Sequence, residues 1–128
     1  MDESPDRSRR AAWLMSLVFA GYWLLLFAST HVPRDFPLLP GEGTDKLVHM
    51  SAFLGLAALF AASWELSVGR LKVQHLIVIW LIVAVYAVVD EFSQPPFGRS
   101  CSIWDWVADM TGVGCGLLLF LAWRRWRT

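Results

Sequence analysis

The sequence predicts an all-α polytopic membrane protein, a bundle of four transmembrane helices within a single domain spanning residues 1–128. Three observations predict it. Charged residues make up 17% of the 128-residue chain, against roughly 25% in a soluble domain, so too few charges are present to wet a surface all round. Four apolar runs, over residues 12–29, 47–64, 73–89 and 103–123, meet or approach the roughly 17–25 residues that a bilayer-crossing helix needs. Each run is apolar nearly all the way round rather than along one stripe, as a lipid-facing helix must be. The eleven basic and eleven acidic residues cancel to zero net charge, which argues against the clustered basic footprint of a nucleic-acid binder.

Each span has its own boundary signals. Arg7, Arg9 and Arg10 precede span one. A cleaved leader is the alternative there, but the run outlasts the usual 7–15-residue apolar region of a leader and ends on bulky Tyr22, Trp23 and Phe27. A retained anchor is the expectation. Pro33, Pro37 and Pro40 then break the chain before span two, where Thr44 and Asp45 read as a helix N-cap. Span three is followed by Pro95 and Pro96, and span four opens on Ser102 and Asp105, which have capping-box spacing. Trp13, Trp64, Trp104, Trp106, Trp123 and Trp126 stand at run ends, where an aromatic belt would place them. Cys101 and Cys115 are several helical turns apart, beyond the roughly 7 Å Cα separation that a disulfide tolerates. Both are expected as free thiols with packing roles.

Charge asymmetry orients the bundle. Eight of the eleven basic residues lie on one side, in the N-terminal tail, the loop with Arg70 and Lys72, and the C-terminal tail with Arg124, Arg125 and Arg127. Arg34, Lys46 and Arg99 lie on the other. The positive-inside bias makes both termini cytoplasmic, with the membrane crossed four times.

On that topology the ionisable residues gather at the outer boundary. Asp45, Lys46 and His49 open span two, Asp90 and Glu91 close span three, Gln94 and Arg99 follow in the outer loop, and Asp105 and Asp109 open span four. The inner face carries what read as ordinary loop and tail charges, and His31 and His75 read as ordinary residues in or near loops. At about 100° per residue, Asp105, Asp109, Gly112 and Gly116 fall within about 60° of one another. Glycines at that spacing let a second helix approach closely, so the stripe is expected to face the bundle interior or a second copy of the chain. Several of these residues also have plain structural roles: Asp45 and Asp105 suit helix N-termini, and Lys46 and Arg99 suit lipid phosphates or nearby acids. His49 and Asp109 lie about one turn inside their spans, where an ionisable side chain is a functional candidate by default.

Three chemistries remain open for this cluster. Arg99 and Lys46 could meet the phosphate of a lipid or lipid-linked head group while His49, Glu91, Asp105 and Asp109 shape the pocket. Alternatively, His49, Glu91 and Asp109 are the catalytic candidates of an enzyme acting on an envelope lipid, with His49 as acid–base and a carboxylate or bound Mg²⁺ assisting. In the third reading the cluster only fixes helix register. Five carboxylates and a histidine match a hard divalent cation by ligand type, yet no H-E-x-x-H or C-x-x-C spacing assigns a metal ligand, and no G-x-S-x-G or P-loop is present.

Two segments carry a family resemblance. Asp45 to His49 reads D-K-L-V-H, and Asp90 to Gly112 reads D-E-F-S-Q-P-P-F-G-R-S-C-S-I-W-D-W-V-A-D-M-T-G. Together they resemble the VanZ-like family of bacterial membrane proteins, whose pattern is Asp-Lys-x-x-His, then Glu-x-x-Gln, an Arg, and Asp-x-x-x-Asn or Asp before a Gly. Asp45, Lys46, His49, Glu91, Gln94, Arg99, Asp105, Asp109 and Gly112 match, with Phe53 and Gly55 where the family tends to carry an aromatic and a small residue. The resemblance runs from Asp45 to about Gly116, and span one shares only its hydrophobic character. Asp109 departs from the many members with Asn there. The resemblance implies an accessory role in the cell envelope, as in the family's namesake, which is similar to a protein giving low-level resistance to the glycopeptide teicoplanin. Membrane lipids or lipid-linked envelope precursors are the partners it implies.

Overall fold

The computed structural model describes residues 4–31, 42–97 and 102–128, with side chains from 5–31, 46–96 and 102–128. It contains α1 (Ser4–Thr30), α2 (Glu42–Val68), α3 (Val73–Ser93) and α4 (Ile103–Arg127), with a short 3-10 turn at Pro95–Phe97. All four helices are long and apolar enough to cross a membrane. Each outruns or equals its apolar run, because backbone hydrogen bonding continues through polar residues once a helix is established. A helix of 27 residues, such as α1 or α2, is about 40 Å long and exceeds the ~30 Å hydrocarbon core. The chain is therefore a multi-pass membrane protein whose helix ends reach the polar interface.

Helix α2 is the hub. It packs most extensively on α4, then on α1, and also touches α3, while α3 leans on α4. The α2–α4 contact is close because Gly112 and Gly116 lack side chains. A Cβ built on Gly112 would collide with the Met50 carbonyl, and one on Gly116 with the Leu54 carbonyl. Both glycines are buried, so the G-x-x-x-G stripe is occupied within the chain. Contact between two copies through Gly112 and Gly116 would require that packing to open. Along the same seam Phe53, Leu56, Ala57, Ile79, Val83 and Val113 are fully enclosed. Tyr22 of α1 lies over Gly55, where a Cβ would meet its hydroxyl, and donates to the Ala52 carbonyl at 2.6 Å.

The outer faces are apolar. Leu24, Leu25, Val85, Phe92, Ile103 and Leu118 are all more than half exposed, as expected of side chains that lipid covers. Cys115 is free and exposed among them, which corrects its expected packing role: it flanks the buried stripe of Gly112 and Gly116 without entering it. Cys101 lies outside the described residues.

Helix boundaries also correct two capping expectations. Helix α2 begins at Glu42, so Thr44 and Asp45 fall inside its first turn and not at its cap. Ser102 is the N-cap of α4, but its side chain makes no cap hydrogen bond; Asp105 instead faces Lys46. Helix α2 is followed by Gly69, whose φ of 94° is a left-handed conformation natural to glycine after a helix. Its N–H returns to the Glu65 carbonyl at 2.9 Å.

The end of the bundle holding that turn, the start of α1 and the end of α4 is not ordinary, contrary to expectation. Glu65 of α2 is buried at 7% exposure. Arg124 donates to its Oε2 at 3.0 Å and Arg127 to its Oε1 at 3.4 Å, while the Leu71 N–H donates to Oε2 at 3.1 Å. Arg124 also donates to the Leu71 carbonyl at 2.9 Å. One carboxylate thus ties α2, the α2–α3 turn and α4 together.

Candidate functional site

The opposite end concentrates most of the buried ionisable groups. Helix α2 enters there with Lys46 and His49, α3 leaves with Asp90 and Glu91, and α4 enters with Asp105 and Asp109. In α2 and α4 the ionisable residues are one turn apart, so each pair points the same way. That register lets the two helices form two rungs: Lys46 Nζ lies 3.2 Å from Asp105 Oδ1, and His49 Nδ1 lies 3.0 Å from Asp109 Oδ1. The outer rung is partly wetted, with the Lys46 side chain 43% exposed. The inner rung is sealed: His49 is 5% exposed and Asp109 fully buried.

Glu91 joins the inner rung from α3. His49, Glu91 and Asp109 each offer a ligand atom, and these atoms lie within 4.8 Å of one another. Glu91 Oε2 accepts from the Ser102 N–H at 3.3 Å, which ties the start of α4 to α3. The remaining oxygens are bare. Among the described residues, the buried side-chain polar atoms with no hydrogen-bond partner are Glu91 Oε1, Asp109 Oδ2 and Trp106 Nε1. All three belong to this end of the bundle.

Asp90 is held quite differently. Its Oδ1 accepts from the Thr30 hydroxyl at 2.7 Å and the Tyr86 hydroxyl at 3.4 Å, and its Oδ2 from the Gln94 amide at 3.0 Å. His31 adds to this tie: its Nε2 lies 2.8 Å from Ser93 Oγ, and its Nδ1 lies 3.9 Å from Asp90 Oδ1. Asp90 and Gln94 therefore fasten α1 to α3 within the polar end.

Of the residues singled out in sequence, His49, Glu91 and Asp109 converge, Lys46 and Asp105 form the rim, and Asp90 and Gln94 make the neighbouring tie. The side chain of Asp45 and all of Arg99 lie outside the described residues. The sequence reading passed over Thr30, His31, Ser93 and Trp106 here, and it named no metal ligand. A signal for the first two existed: Thr30 and His31 close span one at the boundary where Asp90 stands. His49, Glu91 and Asp109, grouped from the sequence as catalytic candidates, come from three helices, and it is the packing of those helices that brings their ligand atoms within 4.8 Å.

Fold and site define a polytopic helical membrane protein with a buried polar cluster at one interface. The chain belongs to the VanZ/LLP1 family, whose profile matches residues 3–124. That match takes in α1 as well, which the motifs from Asp45 to Gly116 did not reach. No curated protein gives a match, and no solved structure does.

Proposed function

We propose that this VanZ/LLP1 protein serves the bacterial cell envelope from the cytoplasmic membrane, with both termini inside and its polar end facing out. There it binds the head group of a lipid or lipid-linked envelope precursor, in an accessory role of the kind that lowers glycopeptide sensitivity. The observation that carries this reading is the set of unpartnered buried atoms on Glu91, Asp109 and Trp106, beneath a rim with the half-exposed ammonium of Lys46. A buried polar atom without a partner is costly, and a cluster of them is better explained by a ligand than by helix packing. Lys46 supplies a cation for a phosphate; the acids and His49 supply acceptors and a donor for its polar substituents.

The His49–Asp109 contact at 3.0 Å favours one second reading. A buried imidazole held by a carboxylate is a general acid–base arrangement, so the head group would be altered there and not only held. Comparing lipid extracts of cells with and without the protein by mass spectrometry separates the two: a new or missing head group establishes chemistry, and identical extracts leave binding.

The site itself is tested in cells exposed to teicoplanin. His49→Ala and Asp109→Asn are expected to abolish the protein's effect while membrane levels and unfolding temperature stay near wild type. Loss of folded protein in both variants would instead make the cluster interhelical glue. Orientation is tested by thiol labelling, in which Cys101 is expected to react from outside the cell; protection there reverses the topology.

A further inference from the structure

We propose that His49, Glu91 and Asp109 form a binding site for a divalent first-row cation of the Mn²⁺–Zn²⁺ class. The proposal deepens the head-group reading and rests on it only for what fills the ion's remaining coordination positions.

Geometry is the first argument. In a shell with ligands about 2.1 Å from the ion, adjacent ligands are about 3.0 Å apart and opposite ones about 4.2 Å. His49 Nδ1 and Asp109 Oδ1 are 3.0 Å apart, and the three donor atoms span no more than 4.8 Å. Small rotations about the Glu91 side-chain bonds would bring the set into the first shell. The three residues come from α2, α3 and α4, and the close α2–α4 approach at Gly112 and Gly116 fixes two of them.

The second argument is the state of the carboxylates. Glu91 is 2% exposed and Asp109 fully buried, and each keeps an oxygen with no hydrogen-bond partner. Neighbouring acids do not share this condition. Asp105 faces the Lys46 ammonium at 3.2 Å, and Asp90 accepts from Thr30, Tyr86 and Gln94. Bare carboxylate oxygens at a membrane boundary call for a positive partner, and a cation between them is the simplest one.

Donor chemistry selects the ion. Calcium and magnesium favour shells made wholly of oxygen, whereas thiolates select softer metals. One imidazole with two carboxylates suits Mn²⁺ or Zn²⁺, and Cys115, exposed on another face of α4, takes no part. Three protein ligands leave coordination positions open, which distinguishes a ligand-binding or catalytic site from a closed structural one. An oxyanion of a head group fits those positions.

The test uses the tag-free full chain in lipid nanodiscs, stripped with chelator and equilibrated separately with Mn²⁺ and Zn²⁺ alone. The expected result is about one tightly bound ion per chain by elemental analysis, with Mn²⁺ coordination visible by electron paramagnetic resonance. His49→Ala, Glu91→Gln and Asp109→Asn should each weaken binding at least tenfold, since even the loss of outer-shell support costs about 10–100-fold. His75→Ala, at the opposite end of the bundle, should bind as wild type. Failure of the wild-type chain to bind either ion overturns the proposal, as does undiminished binding by Glu91→Gln and Asp109→Asn. Should a variant fail to fold, the wild-type chain decides: chelator must lower its unfolding temperature and added ion restore it, and an unresponsive transition overturns the site. The readout is the bound ion and not the lipid, so a failed head-group reading leaves a positive metal result intact.

Discussion

The two ends of the bundle handle buried acids in opposite ways. Near the end of α4, Glu65 has each oxygen engaged, by Arg124, Arg127 and the Leu71 N–H. At the other end, Glu91 and Asp109 are as deeply buried but each leaves an oxygen bare. A fully satisfied carboxylate among three parts of the chain holds the fold closed. The partly satisfied ones still bridge helices, Glu91 to the Ser102 N–H and Asp109 to His49, but each leaves an oxygen that the proposed site would use. The same division runs inside the polar end, where Asp90 is spent on tying α1 to α3 and its sequence neighbour Glu91 is not.

This contrast breaks most readily at Glu65. Glu65→Ala leaves the Arg124 guanidinium, on a side chain 15% exposed, without its carboxylate. Removing one partner of a buried pair costs about 3–5 kcal/mol, so chemical unfolding in detergent should begin at distinctly lower denaturant.

Gly112→Ala is next. Its Cβ would strike the Met50 carbonyl, part of a helix backbone that cannot rotate aside, so α2 and α4 must separate. A loss of about 1–3 kcal/mol is expected for such overpacking, measured in the same unfolding assay. Gly114→Ala, where a Cβ would meet nothing within 4 Å, should unfold as wild type. Equal losses at the two glycines would show that the α2–α4 seam is looser than its geometry implies.

Lys46→Ala probes the rim. The Lys46 side chain is 43% exposed while that of Asp105 is only 5% exposed; because solvent can reach the carboxylate where the ammonium leaves, a loss of about 1 kcal/mol, the top of the range for exposed pairs, is expected. Unfolding should change by no more than that, while the cellular effect proposed above falls. A large stability loss would move Lys46 from the site to the scaffold.

The sequence carried the four spans and much of the polar end for a simple reason. Membrane crossing is written in contiguous runs, and the motif residues Lys46, His49, Glu91, Asp105 and Asp109 sit beside them. The helix register made the polar stripe of each helix legible too, since residues one turn apart must share a face. Pairings between distant helices were harder to read. Glu65 and Arg124 are 59 positions apart, and nothing local distinguishes them from solvated end charges. Thr30 and His31 look like the frayed end of a run until α3 is laid beside them. Helix ends were underestimated because apolarity stops before hydrogen bonding does.

The central claim is that Glu91 and Asp109 are retained for binding and not for cohesion. Equilibrium unfolding of a Glu91→Gln and Asp109→Asn double variant, in detergent with chelator present, tests it directly. Neutralising two bare carboxylates while keeping their shape should leave stability within about 1 kcal/mol of wild type, or raise it. A loss approaching that of Glu65→Ala would contradict the account and make the polar end a second clasp.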